Sequence, residues 1–268
     1  MKLEKEWFND EDFWKVFAPV MFGEKRWSEV PVVADGLTRL AGLDLYGEKP
    51  RRPGKRQGGS AEEGPRVLDL CCGFGRITLE LARRGFIATG VDITKSYLET
   101  AREEAEYEKL DIEYIENDVR LFKRKGAFDL ALNLYNSFGY FENPEDDLLF
   151  LKNAHHSLRQ GGAMVLDLLG KEIAVRDYLE AEWFEQAGFT VLTESNPLDS
   201  WGSVWNRWIL IKGGKRWEKV FIQRLYAASE LRSLLLKAGF SEVEIYGNWD
   251  EGPYDQHADT LIAVGRKY

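Results

Sequence analysis

The stretch from Arg66 to Asp92, RVLDLCCGFGRITLELARRGFIATGVD, decides the fold. Val67, Leu68 and Leu70 form a run with the character of a buried strand, and Gly73 and Gly75 flank Phe74 at a tight turn. Ile77, Leu79, Leu81 and Ala82 then give a mostly apolar face at helical spacing. Phe86 to Val91 is a second apolar run, closed by Asp92. Such a unit places a helix N-terminus and bare backbone N–H groups at the carboxyl edge of a parallel sheet. A nucleoside-containing cofactor can bind at that edge.

Two cofactor classes use this geometry. A dinucleotide site wants G-x-G-x-x-G, the third glycine allowing close helix–strand packing. Here that third position is Thr78. Asp69 also lies inside the first strand, where the dinucleotide pattern needs no acid. A carboxylate there can accept hydrogen bonds from an ammonium group or from the turn backbone. Hydride-transfer chemistry is therefore a poor match. Asp69, the Gly73–Gly75 turn and Asp92, in this order and spacing, form a specific signal that a bare pair of glycines would not.

Working outward, the chain alternates strand and helix. Strands are expected near 66–71, 86–92, 111–116, 127–135 and 163–169, with helices near 75–84, 95–109 and 145–159. This alternation builds a parallel sheet with helices on both faces. Residues 181–226 change character. EWFEQAGFTVLTES, SWGSVWNRWILI and RWEKVFIQRLY are aromatic-rich and partly alternating, and read as antiparallel strands of an inserted subdomain. A helix over 230–238 and strands at 242–247 and 259–265 follow. Residues 1–45 read as helical, with Trp7, Phe8, Phe13, Trp14, Phe17, Phe22 and Trp27 as packing side chains. Residues 47–64 are rich in proline, glycine and charge and read as a linker, with five basic residues between Lys49 and Arg56.

A chain of 268 residues can bury a full core, and one domain with an added subdomain is expected. The net charge of −9 disfavours a nucleic-acid backbone as the main partner. The two cysteines, Cys71 and Cys72, are adjacent, too few for a cysteine zinc site and ill placed for a structural disulfide. No metal-ligand spacing is visible. The charged N-terminus lacks the apolar core of a signal peptide, and no apolar run reaches membrane-spanning length. A soluble cytoplasmic protein, monomer or homodimer, is expected.

VLDLCCGFGRITLELARRGFIATGVDIT (67–94) resembles the first motif and second-strand acid of class I S-adenosylmethionine-dependent methyltransferases. IENDVRLF (115–122) resembles their acidic turn after the third strand, and FDLALNLYNSFGYF (128–141) their fourth-strand motif. LRQGGAMVLDLL (158–169) resembles the GG turn and fifth strand, and the likeness returns at 225–246. The fold that this resemblance implies is α/β: a Rossmann-like, doubly wound, mostly parallel seven-stranded sheet whose last strand is antiparallel. The implied organisation is an N-terminal helical lid (1–46), the linker (47–64), a cofactor-binding domain (65–180), an inserted antiparallel cap (181–226), and a C-terminal helix with the final strands (227–268).

The resemblance implies S-adenosylmethionine as cofactor and assigns residues to it. Gly73 and Gly75 let the backbone approach it, beside Cys71. Asp69 holds the amino group of the methionine moiety, and Asp92, followed by Ile93, accepts the ribose hydroxyls. Asp118 accepts the adenine amino group, with the Val119 N–H reaching a ring nitrogen. Asn133 opens the segment where cofactor and acceptor meet. In the lid, Trp14 is a candidate to cover the sulfonium, a cation that aromatic faces attract, and Arg26 to meet the cofactor carboxylate. Tyr135, Tyr140 and His257 are the candidates for acceptor orientation or proton transfer. The chain lacks the Asn/Asp-Pro-Pro-Tyr/Phe signature of many amino-methylating DNA, RNA and glutamine enzymes. The expected reaction is in-line methyl transfer to a small-molecule acceptor, nitrogen slightly ahead of oxygen. A macromolecular acceptor such as a peptide N-terminus or tRNA, and a cofactor-binding scaffold without turnover, are the alternatives.

Overall fold

The computed structural model describes residues 6–43 and 64–268. The basic cluster at 49–56 and all of the expected linker except Gly64 lie outside the described residues. The core is built on β1 (Arg66–Leu70), β2 (Ile87–Asp92), β3 (Ile112–Glu116), β4 (Phe128–Asn133) and β5 (Leu158–Leu168), which pair in parallel. β10 (Glu242–Tyr246) and β11 (Leu261–Arg266) complete a seven-stranded sheet of order β10-β11-β5-β4-β1-β2-β3. β11 runs antiparallel to both neighbours. The chain steps one way from β1 to β3 and the other way from β4 to β5. The adjacent carboxyl ends of β1 and β4 are thus the switch point where an open α/β sheet takes its ligand.

Both faces of the sheet are covered, as the apolar strand runs require. One face packs against α6 (Pro144–Ser157) and α8 (Ala228–Ala238), through Leu148, Phe150, Leu151, Leu231 and Leu235. The other packs against α4 (Arg76–Arg83) and α3 (Val30–Leu40), the latter burying Val30, Val33, Ala34, Leu37 and Leu40. α5 (Lys95–Tyr107) closes the β3 end through Leu98, Ala101 and Ala105. The expected fifth strand at 163–169 in fact begins at Leu158, straight after α6. Leu158 pairs with Phe128, and a register shift follows before Leu130 pairs with Ala163. The glycines at 161 and 162 therefore sit within the strand, next to an irregular pairing.

After α7 (Lys171–Arg176), the strands β6 (Ala181–Gln186), β7 (Phe189–Leu198), β8 (Ser203–Lys212) and β9 (Lys215–Arg224) form a separate antiparallel sheet, the cap. The N-terminal α1 (Glu11–Met21) lies on it, burying Phe13, Phe17 and Val20 against Phe189, Val191 and Leu210. Burial of each such side chain stabilises by about 1.5–3 kcal/mol, so α1 is firmly held. The next helix, α2 (Glu24–Ser28), buries none of its residues. Asp147 on α6 ties cap to core: it is fully buried, paired with Arg224 at the end of β9, and accepts from the Tyr226 hydroxyl at 2.7 Å.

Candidate functional site

A cavity of about 630 Å³ opens at the carboxyl ends of β1, β2 and β4, roofed by α1, α2 and the cap. The turn after β1 forms its floor. Cys71 N and Cys72 N both donate to Val91 O (2.8 and 3.1 Å), folding the turn onto β2. Cys71 itself is left-handed, at φ 63°. Gly73 is also left-handed, at φ 55°, and lines the cavity with bare backbone. Gly75, at φ 71°, does not line it. A Cβ there would lie 2.3 Å from the Tyr114 hydroxyl, so this glycine serves the packing of α4 against β3. That departs from the expected cofactor contact.

Three carboxylates line the cavity, one after each of the first three strands or within them. Asp69 is 4% exposed and accepts from the Thr78 hydroxyl at 2.6 Å. Burial pushes its pKa up to about 6, the nearby Asp92 charge adding to the rise against the Thr78 hydrogen bond. Asp92 accepts from Gly73 N and Thr94 N, each at 2.8 Å, and so fixes the turn. Burial raises its pKa, opposed by those backbone N–H groups. Asp118 is held by Arg120, whose Nε lies 3.0 Å from both carboxylate oxygens. Burial works to raise this carboxyl, but the Arg120 hydrogen bonds outweigh it and hold it below the usual range. The Arg120 guanidinium lies over the Phe141 ring at 4.6 Å.

The segment after β4 forms another wall. Tyr135 and Asn136 are both left-handed, at φ 54° and 62°. Each such residue costs energy and persists only where its surroundings fix it, as at ligand clamps. Asp167 on β5 does so here, accepting Tyr135 N at its carboxylate (3.1 Å) and Asn136 N at its carbonyl (3.0 Å). The Asn136 amide exchanges hydrogen bonds with Gln223 of β9 (3.1 and 2.8 Å), joining this wall to the cap. Beyond it lie Trp7, Trp14, Tyr140, Phe184, Trp208 and Phe221, an aromatic end chamber.

The residues fit a nucleoside-sulfonium cofactor. Its ammonium, ribose hydroxyls and adenine amine are all donors, and the three acids that line the cavity along the sheet edge are acceptors. The comparisons agree. The model of the methyltransferase domain family matches residues 67–162. A protein of Geobacillus sp. strain WCH70, described as a methyltransferase, is 23% identical over 214 residues, 75% of this chain and 84% of its own length. An S-adenosylmethionine-dependent methyltransferase of Clostridium acetobutylicum superposes with a TM-score of 0.69 at 16% identity, covering 96% of this chain and 98% of that one. A sugar N-methyltransferase of a Streptoalloteichus species superposes with a TM-score of 0.66 at 19% identity, covering 93% and 92%.

Residues 67–162 form a methyltransferase domain.

In this methyltransferase Asp69, Cys71, Gly73, Asp92, Ile93, Asp118, Val119, Trp14, Arg26, Tyr135 and Tyr140 all line the one cavity. Two further candidates do not. Asn133 is fully buried behind the turn, donating to Leu70 O at 3.0 Å, and so ties β4 to β1 instead of facing the cavity. His257 is exposed in the turn before β11. That turn is drawn toward α7, whose Arg176 takes the carbonyls of Gln256 (2.7 Å) and Ala258 (3.0 Å). Arg26 lines the cavity but is half exposed and paired with Glu29 at 3.2 Å. Arg76, which sequence reasoning passed over, is 6% exposed and lines the cavity as well. Burial lowers its pKa, opposed by nearby Tyr135 and Asp69.

Among the described residues no group of three or more His, Cys, Asp or Glu side chains could hold a metal ion. Nor is any helix among them long and apolar enough to cross a membrane.

Proposed function

We propose that the methyl group goes to a small-molecule acceptor, nitrogen ahead of oxygen, held in the aromatic chamber between the N-terminal helices and the cap. The observation that carries this reading is the make-up of the chamber. Among the described residues the cavity lining holds no histidine, and its carboxylates are Asp69, Asp92 and Asp118 at the cofactor edge. Burial raises the pKa of both Tyr135 and Tyr140, so neither phenol is a ready base near neutrality. A hydroxyl acceptor needs a base, whereas an amine delivered neutral needs none. Aromatic faces also favour an amine carrying partial or full positive charge.

The size and the rim support a small acceptor. A volume of about 630 Å³ falls in the range of small-ligand sites. The adjoining outer cleft is lined by Glu6, Asp10, Glu11 and Asp12 against Lys219, a rim that repels a polyanion. The Streptoalloteichus structure, whose acceptor is a sugar nitrogen, adds weight.

Within this reading Asp92 takes the ribose hydroxyls, Asp69 the α-ammonium, and Asp118 with the Val119 N–H the adenine edge. Trp14 and Tyr140 shield the methyl end, and α1, α2 and the cap act as its cover. When bound, S-adenosylmethionine supplies a methyl group already activated on a sulfonium. The protein aligns the acceptor nitrogen with it and keeps water out, and such positioning supplies several kcal/mol or more. The test is a labelled-methyl screen across amines, amino sugars, their hydroxyl counterparts, peptides and bulk RNA. Label in a small amine is expected. Label confined to RNA, to peptides or to hydroxyl compounds would overturn the assignment.

A further inference from the structure

Arg76 is a buried cation with no carboxylate in ion-pair contact among the described residues, Asp69 acting on it only from a distance. It stands at the start of α4, directly after the glycine turn, 6% exposed. Among the described residues no carboxylate lies within 4 Å of its guanidinium. Among these residues its hydrogen bond is from Nη1 to the backbone oxygen of Arg26, at 2.6 Å. Aromatic rings hold its plane: Tyr135 at 4.6 Å, Phe22 at 5.3 Å and Trp27 at 5.8 Å from the guanidinium carbon. A guanidinium carries five N–H donors in a planar fork, and this one has used a single donor. Burying a charge is costly unless it is paired, so the site is built to receive an anion from the cavity.

The same side chain also contacts α2 at two residues, Arg26 and Trp27. That helix buries none of its residues. Its contacts with the start of α4 include the Arg76–Arg26 hydrogen bond and the Arg76–Trp27 cation–π contact. An element with so little buried surface opens at low cost. Anything that fixes the Arg76 plane therefore fixes α2.

Resting on the reading of the cavity given above, we propose that Arg76, and not Arg26, receives the α-carboxylate of the cofactor, and that this contact closes α2 over the site. The carboxylate completes the fork and locks the guanidinium against Tyr135, Phe22 and Trp27. The Arg26 carbonyl, hydrogen-bonded to the same guanidinium, is drawn down with it. Cofactor occupancy is thereby reported to the cover through one residue. Arg26 already has Glu29 as its counter-ion and stays a solvent-side pair.

The test compares two probes on the full chain. S-adenosylhomocysteine carries the amino-acid end; 5′-methylthioadenosine has the same nucleoside and no carboxylate. Arg76→Met should weaken S-adenosylhomocysteine tenfold or more in calorimetry and leave methylthioadenosine within about twofold. In hydrogen exchange, S-adenosylhomocysteine should protect the amides of residues 23–29 in the natural protein and not in Arg76→Met, and methylthioadenosine should protect them in neither. Arg26→Met should retain both the affinity and the protection. Should Arg76→Met fold poorly, Arg76→Lys keeps the charge without the fork and should still lose affinity for the carboxylate-bearing probe alone. An unchanged affinity for S-adenosylhomocysteine in Arg76→Met, or an equal loss for both probes, would overturn the proposal. Failure of the natural protein to bind either probe would count instead against the reading of the cavity.

Discussion

Asp92→Asn is the substitution whose consequence the structure defines most closely. Each carboxylate oxygen already accepts one backbone N–H, from Gly73 and from Thr94, at 2.8 Å. A carboxylate has about four lone-pair sites, so each oxygen keeps capacity for one ribose hydroxyl. Asparagine fills the same volume but turns one oxygen into an NH₂ group. One charged hydrogen bond to the sugar is lost, worth about 1.5–3 kcal/mol, and the other becomes neutral and weaker. The sum is about 2–3 kcal/mol or slightly more, a rise in Kd of roughly 30- to 150-fold. Titration calorimetry with S-adenosylhomocysteine measures it. 2′,3′-Dideoxyadenosine, which lacks the hydroxyls, serves as the control: it reports only the loss from the turn, where one backbone N–H is left without its acceptor, and should weaken less than S-adenosylhomocysteine. Affinity for S-adenosylhomocysteine within twofold of the natural protein would refute the sugar contact. Equal loss for both compounds would show that the damage lies in the turn.

Further expectations follow from other parts of the site and its frame. Asp69 has a folded-state pKa of about 6, above its ordinary 3.8, so it is protonated in the empty protein below that pH. An ammonium needs the carboxylate form, so affinity for S-adenosylhomocysteine should fall as pH drops through 6, with methylthioadenosine unaffected; Asp69→Asn should flatten the profile, and a flat profile in the natural protein would refute the contact. By the same shift, Asp69 costs the empty protein stability as pH rises from 3.8 through 6, so thermal melts of Asp69→Asn should gain most above pH 6. Gly75→Ala places a methyl 2.3 Å from the Tyr114 hydroxyl at a left-handed φ, and should cost about 2–4 kcal/mol in urea unfolding. Tyr114→Phe should recover part of that loss and alone be neutral or mildly stabilising, because the hydroxyl is buried without a protein partner; a clear destabilisation by the single change would contradict this. Arg224→Met strips the counter-ion from fully buried Asp147 and should cost about 3–5 kcal/mol. A loss under about 1 kcal/mol would show that the Tyr226 hydroxyl suffices.

Much of the frame was legible because it is local. The run from Arg66 to Asp92 carries its strand, turn, helix and second strand in consecutive residues, and the elements fall within a residue or two of expectation. The start of the long fifth strand is hidden in the sequence because Gly161 and Gly162 look like a turn, while the pairing of Leu158 with Phe128 is a long-range fact. The acids of the cavity were legible since each follows or sits in a strand whose direction is set by its apolar run. Asn133 shares that position but does not line the cavity. Its side chain turns back to Leu70 O, a choice made by packing between β1 and β4. His257 looked available because its loop precedes the last strand, yet α7 holds that loop away from the cavity. Arg76 could not be picked out: an arginine opening an amphipathic helix reads as a surface residue, and its burial comes from α2 and Tyr135, far along the chain. The left-handed backbone at Cys71 and Tyr135 likewise leaves no mark in residues that usually avoid it.

The central claim is that the cofactor lies along the carboxyl rim of the sheet with its methyl end in the aromatic chamber. A crystal structure with bound S-adenosylhomocysteine tests it most directly. The ribose should rest on the Asp92 carboxylate, the amino-acid end between Asp69 and Arg76, and the sulfur should face Trp14 and Tyr140. A nucleoside seated in the outer cleft beside Asp10 and Lys219, with Asp69 and Asp92 untouched, would contradict it.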